Sequence, residues 1–347
     1  MSHDPASPHA LQALQHRYAR FQSTVGLNAQ PTVWADTNFM ATTDLDNFRG
    51  GSNNHYVFQD VRPAVLRQLH SKLLASSNVS RSLLARTHED GSFNVTTVRA
   101  ETFLWPSSWM RQADGHHTAA TGTSTELLSR DLLDSVSELT FLSRVFGDAL
   151  SRLSILDVGA GYGRLCKRFR DCFPQATYAC VDGLAFGTYL SRRYLRHYGF
   201  ESSVVALPSV AHYLASHRVD LVINIHSFPE MPLRDVTFWI SLVANASVPH
   251  LFLVPNDVFA RPGRLLTNDG TPIEPLLTRH GYRLARYSRF MQDELGMSSI
   301  AHGLAEDHRS SACRTARTRA RAATLPSTCY THAAPYFLFS LARGTRS

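Results

Sequence analysis

The chain has 347 residues, a formal net charge of +7, 44% hydrophobic and 18% charged residues. This balance is too apolar and too sparsely charged for a chain disordered throughout, and no apolar run reaches the 18 residues of a membrane-spanning helix. The five cysteines (Cys166, Cys172, Cys180, Cys313, Cys329) are odd in number and lack CxxC spacing, which argues against a disulfide framework or a zinc site. The polar N-terminus lacks the apolar centre of a signal peptide, so the expected location is cytoplasmic.

The basicity is local. Residues 304–347 carry seven arginines against Glu306 and Asp307, a net +5, which leaves +2 for residues 1–303. A high isoelectric point invites a nucleic-acid reading, and a nearly neutral body weakens it.

Taken in chain order, apolar spacing predicts helices over about 8–22 (Leu11, Leu14, Tyr18, Phe21) and 62–75 (Val65, Leu66, Leu69, Leu73, Leu74). Polar segments follow, with Gly115–Gly122 reading as a loop. A long amphipathic helix is predicted over about 125–148, with Ser124 or Thr125 as its cap, Gly147 near its end, and Arg130, Asp131 and Asp134 on a solvated face or in local ion pairs. From there short apolar runs alternate with helical ones. Strands are predicted at Ser154–Val158, Thr177–Val181, Ser203–Ala206, Leu221–Ile225, His250–Val254, Tyr282–Tyr287 and Tyr336–Ala342. Helices are predicted at 163–171, 184–198, 209–217 and 233–245. This rhythm predicts an α/β, Rossmann-like sheet, mostly parallel with its last strand antiparallel. The expected division is a helical and loop region over 1–124, placed as a cover, and an α/β domain over 125–347. The latter contains a flexible Arg-rich insertion at 305–330.

The strongest local signal is Ser154-Ile-Leu-Asp-Val-Gly-Ala-Gly-Tyr-Gly-Arg-Leu165. A strand carrying Asp157 runs into a turn with Gly159, Gly161, Tyr162 and Gly163, and a helix then opens. Glycines let the backbone approach a ligand closely, and a helix N-terminus points N–H groups at the same spot. The spacing is GxGxG rather than the GxGxxG of dinucleotide sites, and Asp157 would repel a diphosphate. S-adenosylmethionine (SAM) has no phosphate and carries two cationic groups, so the spacing resembles motif I of the class I SAM-dependent methyltransferases. Asp182 ends the next strand, where a carboxylate can accept both ribose hydroxyls. Val205–Ser209 supplies no acidic or amide side chain for adenine. The fourth strand runs into Asn224, His226 and Glu230, placed to face the methyl group. His226 is the candidate base, and Glu230 is read as orienting His226, binding a substrate hydroxyl or capping the next helix.

Three segments extend the resemblance: Ser129-Arg-Asp-Leu-Leu-Asp-Ser135 with Glu138-Leu-Thr-Phe-Leu142, the glycine motif itself, and Asn224-Ile-His-Ser-Phe-Pro-Glu-Met231. Together they resemble the bacterial sugar O-methyltransferase family across about residues 125–290, with His88-Glu-Asp-Gly-Ser-Phe93 as the suggestive piece upstream. The resemblance implies a class I methyltransferase fold, SAM as cofactor and a sugar or glycoside hydroxyl as acceptor. On it, Asp157, Gly159, Gly161, Tyr162, Gly163, Asp182 and Asn224 are the cofactor residues and His226 and Glu230 the catalytic ones. No metal-binding acid cluster is visible, although Asn256-Asp257 leaves a divalent ion open. Arg130 is a weaker candidate for the SAM carboxylate. Tyr56, Trp105 and Trp109 offer aromatic faces for a sugar or for the core, and His116-His117 has no assigned role. Two alternatives stand beside this reading: a nucleic-acid methyltransferase or binder using Arg309–Arg321, and a non-catalytic partner that keeps the fold.

Overall fold

The computed structural model describes residues 8–27, 48–49, 63–95, 97–100, 127–255, 264–289 and 335–342. Seven strands build the sheet: Ser154–Val158 (β3), Thr177–Val181 (β4), Val204–Val205 (β5), Leu221–Ile225 (β6), His250–Val254 (β7), Tyr282–Ser288 (β8) and Tyr336–Leu341 (β9). Most are apolar runs, whereas the edge strand β8 carries Arg283 and Arg286 and is largely exposed. Two further short strands, Val98–Arg99 (β1) and Leu127–Leu128 (β2), pair antiparallel by themselves. The main sheet has the order β5-β4-β3-β6-β7-β9-β8. Its first five strands are parallel, and β9 runs antiparallel to both β7 and β8. This is the mostly parallel sheet with an antiparallel last strand that the sequence predicts. Strands buried on both faces need apolar side chains throughout, and Ile155, Leu156, Val222, Ile223, Leu251 and Phe252 supply them.

The chain leaves β3 toward β4 and β5, then returns to lay β6 on the other side of β3. That reversal is a topological switch point, and ligands of open α/β sheets bind beyond the carboxyl ends of the strands there. The ends of β3 and β6 carry Asp157 and Asn224.

Helices Arg164–Cys172 (α5), Ala185–His197 (α6), Val210–Ser216 (α7) and Leu233–Asn245 (α8) link the strands, and Glu274–Arg279 (α9) precedes β8. Arg130–Phe146 (α4) buries Leu132, Val136, Leu139 and Leu142, and Phe141 stacks on Phe252 at 5.3 Å. Pro8–Val25 (α1), Pro63–Ser76 (α2) and Asn78–Arg86 (α3) add Leu14, Tyr18, Leu69, Leu73, Leu83 and Leu84 to the same apolar core.

The structure amends the sequence reading in four places. Helix α4 begins at Arg130, because Ser129 is its cap and accepts from the Leu132 N–H at 3.1 Å, while Leu127–Leu128 is already committed to β2. The third strand shrinks to Val204–Val205, flanked by 3-10 turns at Glu201–Ser203 and Leu207–Ser209. Helices α3 and α9 were not anticipated. Asp131 is buried in an ion-pair cluster, not on a solvated face, whereas Arg130 does pair locally with Asp134 at 2.7 Å. Ser124 and Thr125, the Gly115–Gly122 loop, Tyr56, Trp105, Trp109, His116-His117, Asn256-Asp257 and the 305–330 segment lie outside the described residues.

Candidate active site

The turn after β3 is built from glycines that no other residue replaces cheaply. Gly159, Gly161 and Gly163 have φ of 76°, 58° and 87°, the left-handed region that disfavours a Cβ. A Cβ on Gly159 would lie 2.1 Å from Ser227 Oγ, so this glycine also lets the turn after β6 close onto the turn after β3. Gly163 is the N-cap of α5, and a Cβ there would lie 2.9 Å from Leu195.

Of the two predicted acids, Asp182 bonds to this turn directly. The Gly161 N–H donates to Asp182 Oδ2 at 2.9 Å, and the Leu184 N–H donates to Oδ1 at 2.8 Å. A carboxylate has about four lone-pair sites, so roughly two remain for a pair of ribose hydroxyls. Asp157 accepts from the Tyr178 hydroxyl at 2.9 Å. Burial pushes Asp182 up to about 6 and Asp157 up to about 7, the latter with help from the Glu138 and Asp182 charges. Among the described residues no cation forms an ion pair with either acid. A cationic ligand with adjacent hydroxyls is what these two buried acids fit.

Two predictions follow from the carboxylates. Both acids are protonated more readily in the folded chain than in the unfolded one, so their contribution to stability falls as pH rises through 6 to 7. Binding of a cation runs the other way, because it needs the ionised forms. Affinity for such a ligand is therefore expected to fall as pH drops from 8 to 5, by up to about tenfold per unit for each proton released. Titration calorimetry in buffers of different ionisation heat measures this, and a flat affinity over that range would contradict it.

The sequence reading missed Gly187. It lies within α6, and a Cβ there would stand 2.6–2.8 Å from all three atoms of the Asp182 carboxyl group. Gly187→Ala suits a helix, where alanine is favoured by about 1 kcal/mol. It is nevertheless expected to displace Asp182 and weaken ligand binding about tenfold or more. Equal affinity in the alanine variant would show that Asp182 has room to move. The only signal in the sequence is a glycine five residues after the acid.

The turn after β6 has a different character. Asn224 donates to Val158 O and to Ser227 Oγ, both at 2.7 Å, and accepts from the Phe228 N–H at 2.9 Å. Both its amide hydrogens are thus used in fastening the turn to β3, so its role here is to hold the turn rather than to offer a free donor. His226 lies two residues on, at φ 66°, with its main-chain N–H donating to Val254 O at 2.8 Å. Burial and the guanidinium charges of Arg164 and Arg130 push its imidazole down to about 3, so it is neutral at physiological pH. Glu230 is buried at the end of the 3-10 turn Phe228–Glu230. Its main-chain carbonyl accepts from Asn268 Nδ2 at 3.3 Å.

Tyr162 is brought to the site but turned toward a buried polar cluster. Its hydroxyl is bonded to Asp131, and its ring packs on Phe48 and Tyr194. In that cluster Arg49 pairs with Glu89 (2.8 Å) and Asp131 (3.1 Å), and Arg168 pairs with Glu89 (2.6 Å). Beside it, Arg164 makes a two-pronged bond to Glu138. Residues from the His88–Phe93 segment, the start of α4 and the helix after the glycine turn are thereby fastened together behind the turn. Among the described residues, no group of three or more His, Cys, Asp or Glu is placed to hold a metal ion, and no helix is long and apolar enough to cross a membrane.

No protein-family model matches the chain. Its sequence is 30% identical over 129 residues to the malonyl-[acyl-carrier protein] O-methyltransferase of Geobacter sulfurreducens. That match takes in 37% of this chain, and the chain spans only 40% of the length of that curated relative. Among solved structures, it is similar to the O-methyltransferase from a trans-AT polyketide synthase multienzyme of Brevibacillus brevis, in complex with S-adenosyl-L-homocysteine (SAH). The TM-score is 0.36 at 12% identity, covering 60% of this chain and 74% of that one. It is also similar to the [4+2]-cyclase SpnF, with TM-score 0.37 at 14% identity over 61% of this chain and 82% of that one. At these values the structural likenesses bear on neither chemistry nor acceptor.

Proposed function

We propose that the chain is a SAM-dependent O-methyltransferase that acts on a hydroxyl of a sugar or glycoside. One observation carries this reading: a positive-φ glycine turn at the switch point of the sheet, bracketed by the buried acids Asp157 and Asp182. SAM, when bound, supplies an electrophilic methyl group on a sulfonium. The glycine turn and Asp157 hold its ammonium end, and the two remaining lone-pair sites of Asp182 hold its ribose. Asn224 fixes the turn that carries His226, and His226 would take the acceptor hydroxyl proton as the O–CH3 bond forms and the S–CH3 bond of the sulfonium breaks, its electron pair staying on sulfur in the departing SAH. Glu230 binds a second acceptor hydroxyl.

His226→Gln is expected to lower turnover by about 10²–10³-fold, in the range of general-base catalysis, while leaving SAH affinity unchanged. Because the imidazole stays neutral down to about pH 3, the acid limb of kcat/KM should show no histidine step near 6.5. Full turnover in the variant on an accepted glycoside would remove His226 as the base.

A second acceptor class is favoured by a specific observation. The low basicity of His226 suits an acceptor that is already anionic, since a carboxylate oxygen needs no proton removed. The Geobacter relative, by its name, acts on a malonyl group, which offers such an oxygen. Transfer of labelled methyl from SAM to a panel of neutral glycosides, uronic acids and malonyl thioesters separates the two. The sugar-hydroxyl reading expects product from the neutral glycosides, and product confined to the carboxylates would replace it with the second reading.

A further inference from the structure

The N-terminal helix reaches the ribose side of the candidate site. Tyr18 of α1 is 2% exposed. Its hydroxyl accepts from the Leu207 N–H at 2.8 Å, lies 2.6 Å from Thr188 Oγ1, and stands 3.4 Å from the carbonyl oxygen of Asp182. One turn further on, Gln22 Nε2 donates to the carbonyl of Gly183 at 3.0 Å. Phe21 packs edge-on against Phe238 of α8, with ring centroids 6.4 Å apart. A single helix thus ties together the turn after β4, the end of β5, the first turn of α6 and the flank of α8. All but the last belong to the carboxyl edge of the sheet next to Asp182.

The pairing of β5 with the rest of the sheet is short. The strand has two residues, and its register with β4 is confined to Cys180↔Val204 and Val181↔Val205. The sequence there offers no side chain to recognise a base. What remains are backbone groups, and backbone groups recognise a ligand only if something fixes them. Tyr18 does this from about 160 to 190 positions away in sequence.

We propose that α1 is the wall of the nucleoside half of the cofactor site, with Tyr18 as the residue that positions the Asp182 turn and the Leu207 end of β5. The proposal rests on the SAM reading above and goes further, because it assigns the N-terminal helix to the cofactor rather than to the acceptor. In Tyr18→Phe the ring still fills its place, while the Leu207 N–H and Thr188 lose their partner.

The test is equilibrium binding of SAH and of adenosine to the full chain and to Tyr18→Phe, with hydrogen–deuterium exchange on α1. Wild-type protein is expected to bind both ligands, and each is expected to slow exchange in α1. Tyr18→Phe is expected to weaken both by a similar factor of about tenfold, as for the loss of one to two hydrogen bonds. A purely structural role would lower the melting temperature without this matched loss. Gln22→Leu, a milder change, is expected to weaken both ligands in the same direction, and it decides the matter if Tyr18→Phe does not fold. Unchanged affinity, or a loss for SAH without one for adenosine, would overturn the proposal. Tighter binding in the variant would also overturn it, by making α1 a plug rather than a wall. Absence of SAH binding by wild-type protein would overturn the SAM reading itself, and this proposal with it.

Discussion

Replacing Glu89 with alanine is expected to lower the unfolding free energy by about 3–5 kcal/mol, as for removal of one partner from a buried ion pair. Glu89 accepts from Arg49 Nη1 and Nη2, Arg168 Nη2, the Ser129 hydroxyl and the Gly91 N–H. Its side chain and those of Arg49 and Arg168 are at most 1% exposed. Burial raises its pKa, but Arg168 and Arg49 outweigh this and hold it below the usual carboxylate range. The alanine variant would take this carboxylate away from two buried guanidiniums and leave Arg49 paired with Asp131, which itself receives the Tyr162 hydroxyl. Because Tyr162 lies inside the glycine turn, the loss should reach the cofactor site as well as the melting curve. Chemical denaturation measures the first effect and SAH binding the second. A stability loss under about 1 kcal/mol would mean that the cluster relaxes around the gap. The depressed pKa also fixes a sign: stability from Glu89 is present above the unfolded value and is lost as pH falls through the folded one.

Asp182→Ala is expected to weaken SAM and SAH binding by about 10²-fold or more. Two hydroxyls bonded to an ionised acceptor contribute about 1.5–3 kcal/mol each, and roughly 1.4 kcal/mol is tenfold. The Gly161 and Leu184 N–H groups lose their acceptor in the same step, which loosens the turn. The melting loss should be smaller than that of Glu89→Ala, because an acid whose pKa is raised by burial adds no favourable charge to the folded state and only the two N–H groups are left without their acceptor. A large drop in affinity with a small shift in melting temperature is therefore the signature. Unchanged affinity would remove Asp182 from the ribose site. A melting loss as large as that of Glu89→Ala would make its role structural.

The contrast between these two residues explains what the sequence makes legible. Asp157, the glycines and Asp182 lie within one strand-turn-helix-strand unit, and their spacing is fixed by elements whose lengths periodicity gives. The parallel strands β3, β4, β6 and β7 are legible for the same reason: each is a five-residue apolar run between helical patterns. The cluster around Glu89 joins residues 40 to 82 positions apart, with no period to connect them. Asp131 reads as one more charge on an amphipathic helix until Arg49 is seen beside it. Tyr18 reads as core, and so it is, but its hydroxyl serves β5 and Thr188. Strand β5 is legible as an apolar run at Ser203–Ala206, but its narrowing to Val204–Val205 between two 3-10 turns is not. Asn224 is legible as a site residue from its place at a strand end, but its engagement by Val158, Ser227 and Phe228 is a property of three-dimensional packing. The pKa of His226 likewise depends on Arg130 and Arg164, which reach it from other elements.

The central claim is that the glycine turn and its two acids hold SAM. Titration calorimetry of SAM and SAH into the 347-residue chain near pH 7.5 tests it most directly. The expected result is saturable one-to-one binding of both ligands with a micromolar Kd, and a proton release on binding that grows as pH is lowered toward 6. The absence of saturable binding up to millimolar ligand would contradict it.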